Sequence, residues 1–228
     1  MAADIQTINL TILENTMLFK GIEHHAIAKI LAESHAYTQT FDKGEYIYRM
    51  GEKAQCLGFI LEGSVSIESD DLWGNHSVLD QVSIGKLFAE NYALNQNVPL
   101  MVNVVAQSAC NILFLNITAL LQAPLQTDGA YTLLQNLLHI STRKSLHLSR
   151  RMFHTSPKTI RARLLSYLSQ QAIETNCLEF DIVFKRQELA DYLNVDRSAM
   201  SFELSKMQKE GLLQFHKNHF ILHKNSIS

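Results

Sequence analysis

The chain has 228 residues, 46% of them hydrophobic, which is enough to fill the core of one large or two modest domains and excludes a disordered chain. No apolar run reaches the roughly 18 residues of a bilayer span, and Met1 to Thr11 lacks a signal-peptide pattern, so a cytoplasmic protein with no membrane partner is expected. The net charge of −2 conceals a division: residues 1–139 carry 6 Lys/Arg against 14 Asp/Glu, and residues 140–228 carry 14 against 8. An acidic body with a basic C-terminal third suits a regulatory domain joined to a phosphate-binding module.

Between residues 11 and 35, Leu18, Phe19, Ile22, Ile27, Ile30 and Leu31 recur at helical spacing and predict short helices. From Tyr37 to about Leu115 the texture changes. Seven of the nine glycines lie between Gly21 and Gly85, and short apolar runs are broken by the turn signals Asp42-Lys43-Gly44, Glu62-Gly63-Ser64 and Trp73-Gly74-Asn75. Many short strands at close spacing predict an antiparallel sandwich, barrel or roll, here assigned as a sensor domain over residues 1–125. Cys56, Cys110 and Cys177 are far apart and odd in number, which fits neither a disulfide framework nor a metal knuckle.

Beyond Pro124 the spacing predicts one helix from Asp128 to His154, the core of a connecting segment over residues 126–154. Alternating steps of four and three select Leu134, Leu138, Ser141, Ser145, Leu148 and Met152, a coiled-coil stripe with a polar middle that predicts a homodimer seam. The same helix could instead pack on its own domain. Thr155-Ser156-Pro157 should break it, cap the next helix and form the hinge to a third segment, residues 155–228. That next helix should run to about Thr175 on a stripe of Ile160, Leu164, Leu165 and Leu168.

Residues 186–211 read as a helix-turn-helix. Leu189, Ala190 and Leu193 form the inner face of a first helix, Asn194-Val195-Asp196 the turn, and Met200, Leu204 and Met207 the inner face of a second. Arg197, Ser198, Ser201, Phe202 and Ser205 are left outward, where they could meet a major groove of double-stranded DNA. Gly211 should stop the helix, and residues 212–222 should form a two-stranded wing.

The run RQELADYLNVDRSAMS, coming after a roll and a long helix, resembles the Crp/Fnr family over essentially Leu18 to Leu222. The resemblance implies an α+β chain: an N-terminal antiparallel β-roll of the cyclic-nucleotide-binding kind, a long dimerisation helix and a C-terminal winged helix-turn-helix. It also implies a homodimer that binds a symmetric operator and touches RNA polymerase. By that analogy Arg197 and Ser198 read base edges together with Ser201 and Phe202, while Arg186, Lys206, Lys217 and Arg161 grip phosphates. Phe202 departs from the pattern, standing where many relatives carry a base-reading Arg, so an altered operator or weaker specificity is expected. Its ring can lie on a thymine methyl.

The family's phosphate-binding pattern resembles Phe-Gly-Glu followed about ten residues later by Arg-Ser. Here the chain has Phe88-Ala89-Glu90 and then Leu100-Met101. A phosphodiester buried without its cation loses several kcal/mol, so cyclic AMP is not the expected effector. The first 55 residues hold no cysteine, which argues against an iron–sulfur centre. Haem, with His76, His139 or His147 as axial ligand, is an alternative, as is a ligand-free regulator. The leading expectation is a small organic effector in a pocket of Phe59, Leu87, Glu90, Leu100, Met101, Leu134 and Ser141. No phosphate loop, nucleophile elbow or His-Glu-x-x-His pattern occurs, so no enzyme is expected.

Overall fold

The computed structural model describes residues 10–70, 73, 76–122 and 128–223. Pro124, Gly74, Asn75 and the expected boundary at residues 125/126 lie outside them. Short helices α1 (Leu10–Glu14) and α2 (His24–Glu33) precede strands β1 (Tyr37–Phe41), β2 (Tyr46–Tyr48), β3 (Leu57–Glu62), β4 (Ser64–Asp70), β5 (His76–Ser83) and β6 (Leu87–Phe88). Helix α3 (Glu90–Leu94), strands β7 (Asn103–Ala106) and β8 (Cys110–Leu115), and helix α4 (Ile117–Gln122) lead to the long α5 (Ala130–Thr155). The C-terminal part comprises α6 (Ile160–Thr175), β9 (Glu179–Asp181), α7 (Arg186–Leu193), α8 (Arg197–Lys209), β10 (Leu213–His216) and β11 (His219–Leu222).

Two compact units result, Met1–Thr142 and Arg143–Ser228. The first is built on two antiparallel sheets, ordered β1-β8-β3-β6 and β2-β7-β4-β5. Because side chains alternate across a strand, the first sheet serves two cores. Leu57, Phe59, Leu113 and Leu115 face a layer with α2, α4 and Leu133 and Leu137 of α5, while Ile60, Ile112 and Phe114 face Val65, Val104 and Ala106 of the second sheet. Gly58 belongs to this inner layer, where a Cβ would lie 2.1 Å from the Phe88 ring, so only glycine admits that ring. Asn136 of α5 donates to the carbonyls of Leu18 and Lys20 at 3.0 and 2.8 Å, fastening the start of the long helix to its own unit.

The second unit is a three-helix head with a sheet. Leu164, Tyr167 and Leu168 of α6 meet Leu189, Ala190 and Leu193 of α7 and Met200, Leu204 and Met207 of α8. The wing has three strands, ordered β10-β11-β9, because Phe180 pairs with Phe220; the sequence expectation of two strands omitted β9. The units divide between Thr142 and Arg143, inside α5, so the last turns of that helix belong to the head. Ser156 donates to the carbonyl of Phe153 and caps no helix, whereas Thr159 accepts from the Ala162 amide as the true N-cap of α6.

Candidate DNA-reading surface and sensor site

Helix α8 starts where the carboxylate of Asp196 accepts from the Ala199 amide at 2.8 Å and from the Ser198 hydroxyl at 2.5 Å. These two donors, Ser198 first, hold the Asp196 carboxyl below the usual carboxylate range. Met200, Leu204 and Met207 are wholly buried, as the sequence spacing predicts, and Gly211 ends the segment at a φ of 74°. The opposite side of the helix is open: Ser198 and Ser205 are exposed, Ser201 is half-buried and Phe202 is 73% exposed, while Arg197 is exposed in the first turn. Ser201 donates to the Arg197 carbonyl and Ser205 to the Ser201 carbonyl, each one turn back.

The four cations expected to grip phosphates are not equivalent. Lys206 and Lys217 are exposed, and Lys217 sits at the wing turn with a φ of 54°. Arg186 lies over the Phe215 ring at 5.0 Å and donates to the Lys217 carbonyl at 2.9 Å, so part of its guanidinium braces the wing. Burial, assisted by Arg197, shifts its pKa below the ordinary arginine value. Arg161 is engaged by Glu203 at 2.5 Å and by Glu210 at 2.8 Å. Both carboxylates bind that guanidinium, which ties α6 to α8.

The turn of the helix-turn-helix is held by two arginines the sequence did not single out. Arg151 of α5 donates to the carbonyls of Asp191 and Tyr192, and Arg163 of α6 donates to those of Leu193 and Asn194. Together they supply donors to the carbonyl oxygens at the end of α7 and in the turn, where the Asp191 carbonyl also accepts from the Asn194 amide. Next to them His154, only 3% exposed, is ringed by Phe153, Tyr167 and Tyr192 and shares a 2.9 Å hydrogen bond with Ser166.

On α5, Leu138, Leu148 and Met152 of the expected seam are 68%, 63% and 68% exposed, and Ser145 is exposed as well. Leu134 and Ser141 are half-buried, Leu134 against the sensor core, and Ser141 Oγ is enclosed without a hydrogen-bond partner.

The expected effector pocket does not converge. Phe59, Leu87 and Leu134 belong to the helical layer, Leu100 belongs to the layer between the sheets, and Met101 is 73% exposed. Leu100 lies in the segment before β7, outside any strand, so its apolar character did not tell which layer it joins. Ala89 keeps a left-handed backbone at φ 58°, and Glu90 after it is buried. Of the histidines considered for haem, His76 is held by Asp70 at 2.8 Å and by Glu68 at 3.6 Å. The Asp70 hydrogen bond raises its pKa, which favours the imidazolium over a metal-ligating ring. His139 and His147 lie exposed on α5. Among the described residues no cluster of three or more His, Cys, Asp or Glu could hold a metal ion, and no helix is long and apolar enough to cross a membrane.

A cyclic nucleotide-binding domain model matches residues 38–126, and a Crp-like helix-turn-helix domain model matches residues 162–225. No curated protein sequence matches the chain. Among solved structures, the chain is similar to the c-di-GMP responsive global regulator CLP of Xanthomonas campestris, at 20% identity and a TM-score of 0.53, over 88% of this chain and 99% of that one. It is also similar to CprK in complex with OCPA, at 15% identity and a TM-score of 0.57, over 85% and 88% of the two chains. These likenesses concern the fold. A sensor of the cyclic nucleotide-binding type followed by a Crp-like DNA-binding head is the build of a regulator and not of an enzyme, and the chain belongs to the Crp/Fnr family of DNA-binding transcriptional regulators.

Proposed function

We propose that this regulator works in the cytoplasm as a homodimer on a two-fold symmetric operator, contacts RNA polymerase as the family resemblance implies, and answers to a small effector other than cyclic AMP. The carrying observation is α8 itself, with Phe202 exposed opposite three wholly buried residues and Arg197 exposed in its first turn. Arg197, Ser198, Ser201 and Phe202 form the base-reading set; Lys206, Lys217 and the free side of Arg186 form the phosphate set. The exposed Leu138, Leu148 and Met152 support the seam, because a second copy would remove them from water.

For the effector, Leu100 is buried in an apolar layer and its neighbour Met101 is uncharged, so this segment offers a phosphodiester no cation.

Gel-shift titration of the full chain against duplexes selected from a random library, repeated across salt concentrations, tests the reading. A symmetric consensus and affinity that falls steeply with salt are expected. Equal binding to all duplexes would defeat it. Sedimentation should give a dimer, and calorimetry with cyclic AMP should give no micromolar binding.

A further inference from the structure

Helix α8 advances 100° per residue, so Phe202 points within about 15° of directly away from the buried Met200, Leu204 and Met207. The crest of the reading helix is therefore an aromatic ring, 73% exposed. The hydroxyl protons around it are spent within the helix, which leaves those oxygens to act as acceptors: Ser198 donates to Asp196, Ser201 to the Arg197 carbonyl and Ser205 to the Ser201 carbonyl. A base edge below this crest meets an apolar surface with few protons to offer. In the major groove the apolar group that fits such a surface is the C5-methyl of a pyrimidine, carried by thymine and by 5-methylcytosine alike.

We infer that Phe202 is a 5-methylpyrimidine reader, which makes the regulator's affinity depend on a single methyl in each operator half-site. The inference rests on the proposed operator binding and names the base chemistry that the crest selects. Because thymine and 5-methylcytosine place that methyl at the same point, cytosine methylation at this step acts on binding as a thymine does.

The test replaces each thymine of a selected duplex by uracil, one at a time, and measures the dissociation constant of the full-length protein at fixed salt. Loss of one methyl contact should weaken binding about fourfold at one thymine per half-site. Phe202→Ala should abolish that sensitivity, and Phe202→Leu should retain part of it. Both variants should unfold thermally as the parent does, because the side chain is exposed. In duplexes with a C·G pair at that step, 5-methylation of the cytosine should raise affinity by a similar factor. Indifference to every uracil, to the cytosine methyl, or equal sensitivity in the Phe202→Ala protein would overturn the inference while leaving the operator reading intact. Failure to enrich any sequence would overturn the operator reading and this inference with it.

Discussion

Arg151, on the last turns of α5, donates its Nε–H to the carbonyl oxygen of Tyr192 at 3.1 Å, and its Nη2 reaches the Asp191 carbonyl at 3.0 Å. The long helix thereby grips the end of α7, immediately before the turn that sets the start of α8. Displacement of this part of α5 moves the carbonyls that fix the helix-turn-helix angle. Arg151→Ala should lower the stability of the head by about 1–2 kcal/mol, because charge-assisted hydrogen bonds are lost and two carbonyls are left underpaired. Denaturant unfolding reads the loss. Arg151→Lys should recover only part of it, since an ammonium cannot fork between two acceptors as a guanidinium does.

Elements that follow a helical period were legible in the sequence. Met200, Leu204 and Met207 are buried at the predicted spacing, and Asp196, the last residue of the predicted turn, caps α8. The strands were less so. Leu57-Gly58-Phe59-Ile60 is apolar throughout because both faces of its sheet are covered, and such a run carries no alternation to tell one face from the other. Strand β9, Glu179-Phe180-Asp181, holds one apolar residue and leaves no periodic trace. The grips of Arg151 and Arg163 are bonds from side chains to distant backbone carbonyls, which no sequence spacing records.

His154 makes the head sensitive to mild acid. Burial pushes its pKa below the usual 6.5; Arg150 assists and Glu174 opposes. The unfolded chain therefore takes up a proton in a range where the folded chain refuses it. Its contribution to stability is fully present above 6.5 and is lost as pH falls from there through the folded-state value. Denaturant unfolding at about pH 7.5 and about pH 5.5 should show the head weakening in acid, and His154→Phe should flatten that difference. A variant as acid-sensitive as the parent would exclude this histidine as the cause.

Ala89 holds a left-handed backbone, φ 58° and ψ 14°, just before α3. A Cβ makes this region costly for an L-residue, whereas glycine enters it freely. Ala89→Gly should therefore stabilise the sensor unit by about 1 kcal/mol, read as a rise in its unfolding midpoint. The same change should not create cyclic AMP binding, because Leu100 and Met101 still supply no cation.

The DNA-facing cations should separate by kind. Lys217 stands exposed at the wing turn and Lys206 on α8, so either Lys→Ala change should weaken binding almost uniformly across sequences and reduce the salt slope by about one. Arg197 is exposed at the start of α8, where a guanidinium can pair with a guanine edge, so Arg197→Ala should cost about 1–3 kcal/mol and relax preference at one base pair per half-site. Arg161 is the internal control. Its guanidinium is bound to Glu203 and Glu210, so Arg161→Ala should lower head stability while leaving the salt slope of the folded protein unchanged. If Arg161→Ala reduced the slope as Lys217→Ala does, the division between clamp and phosphate contact would be wrong.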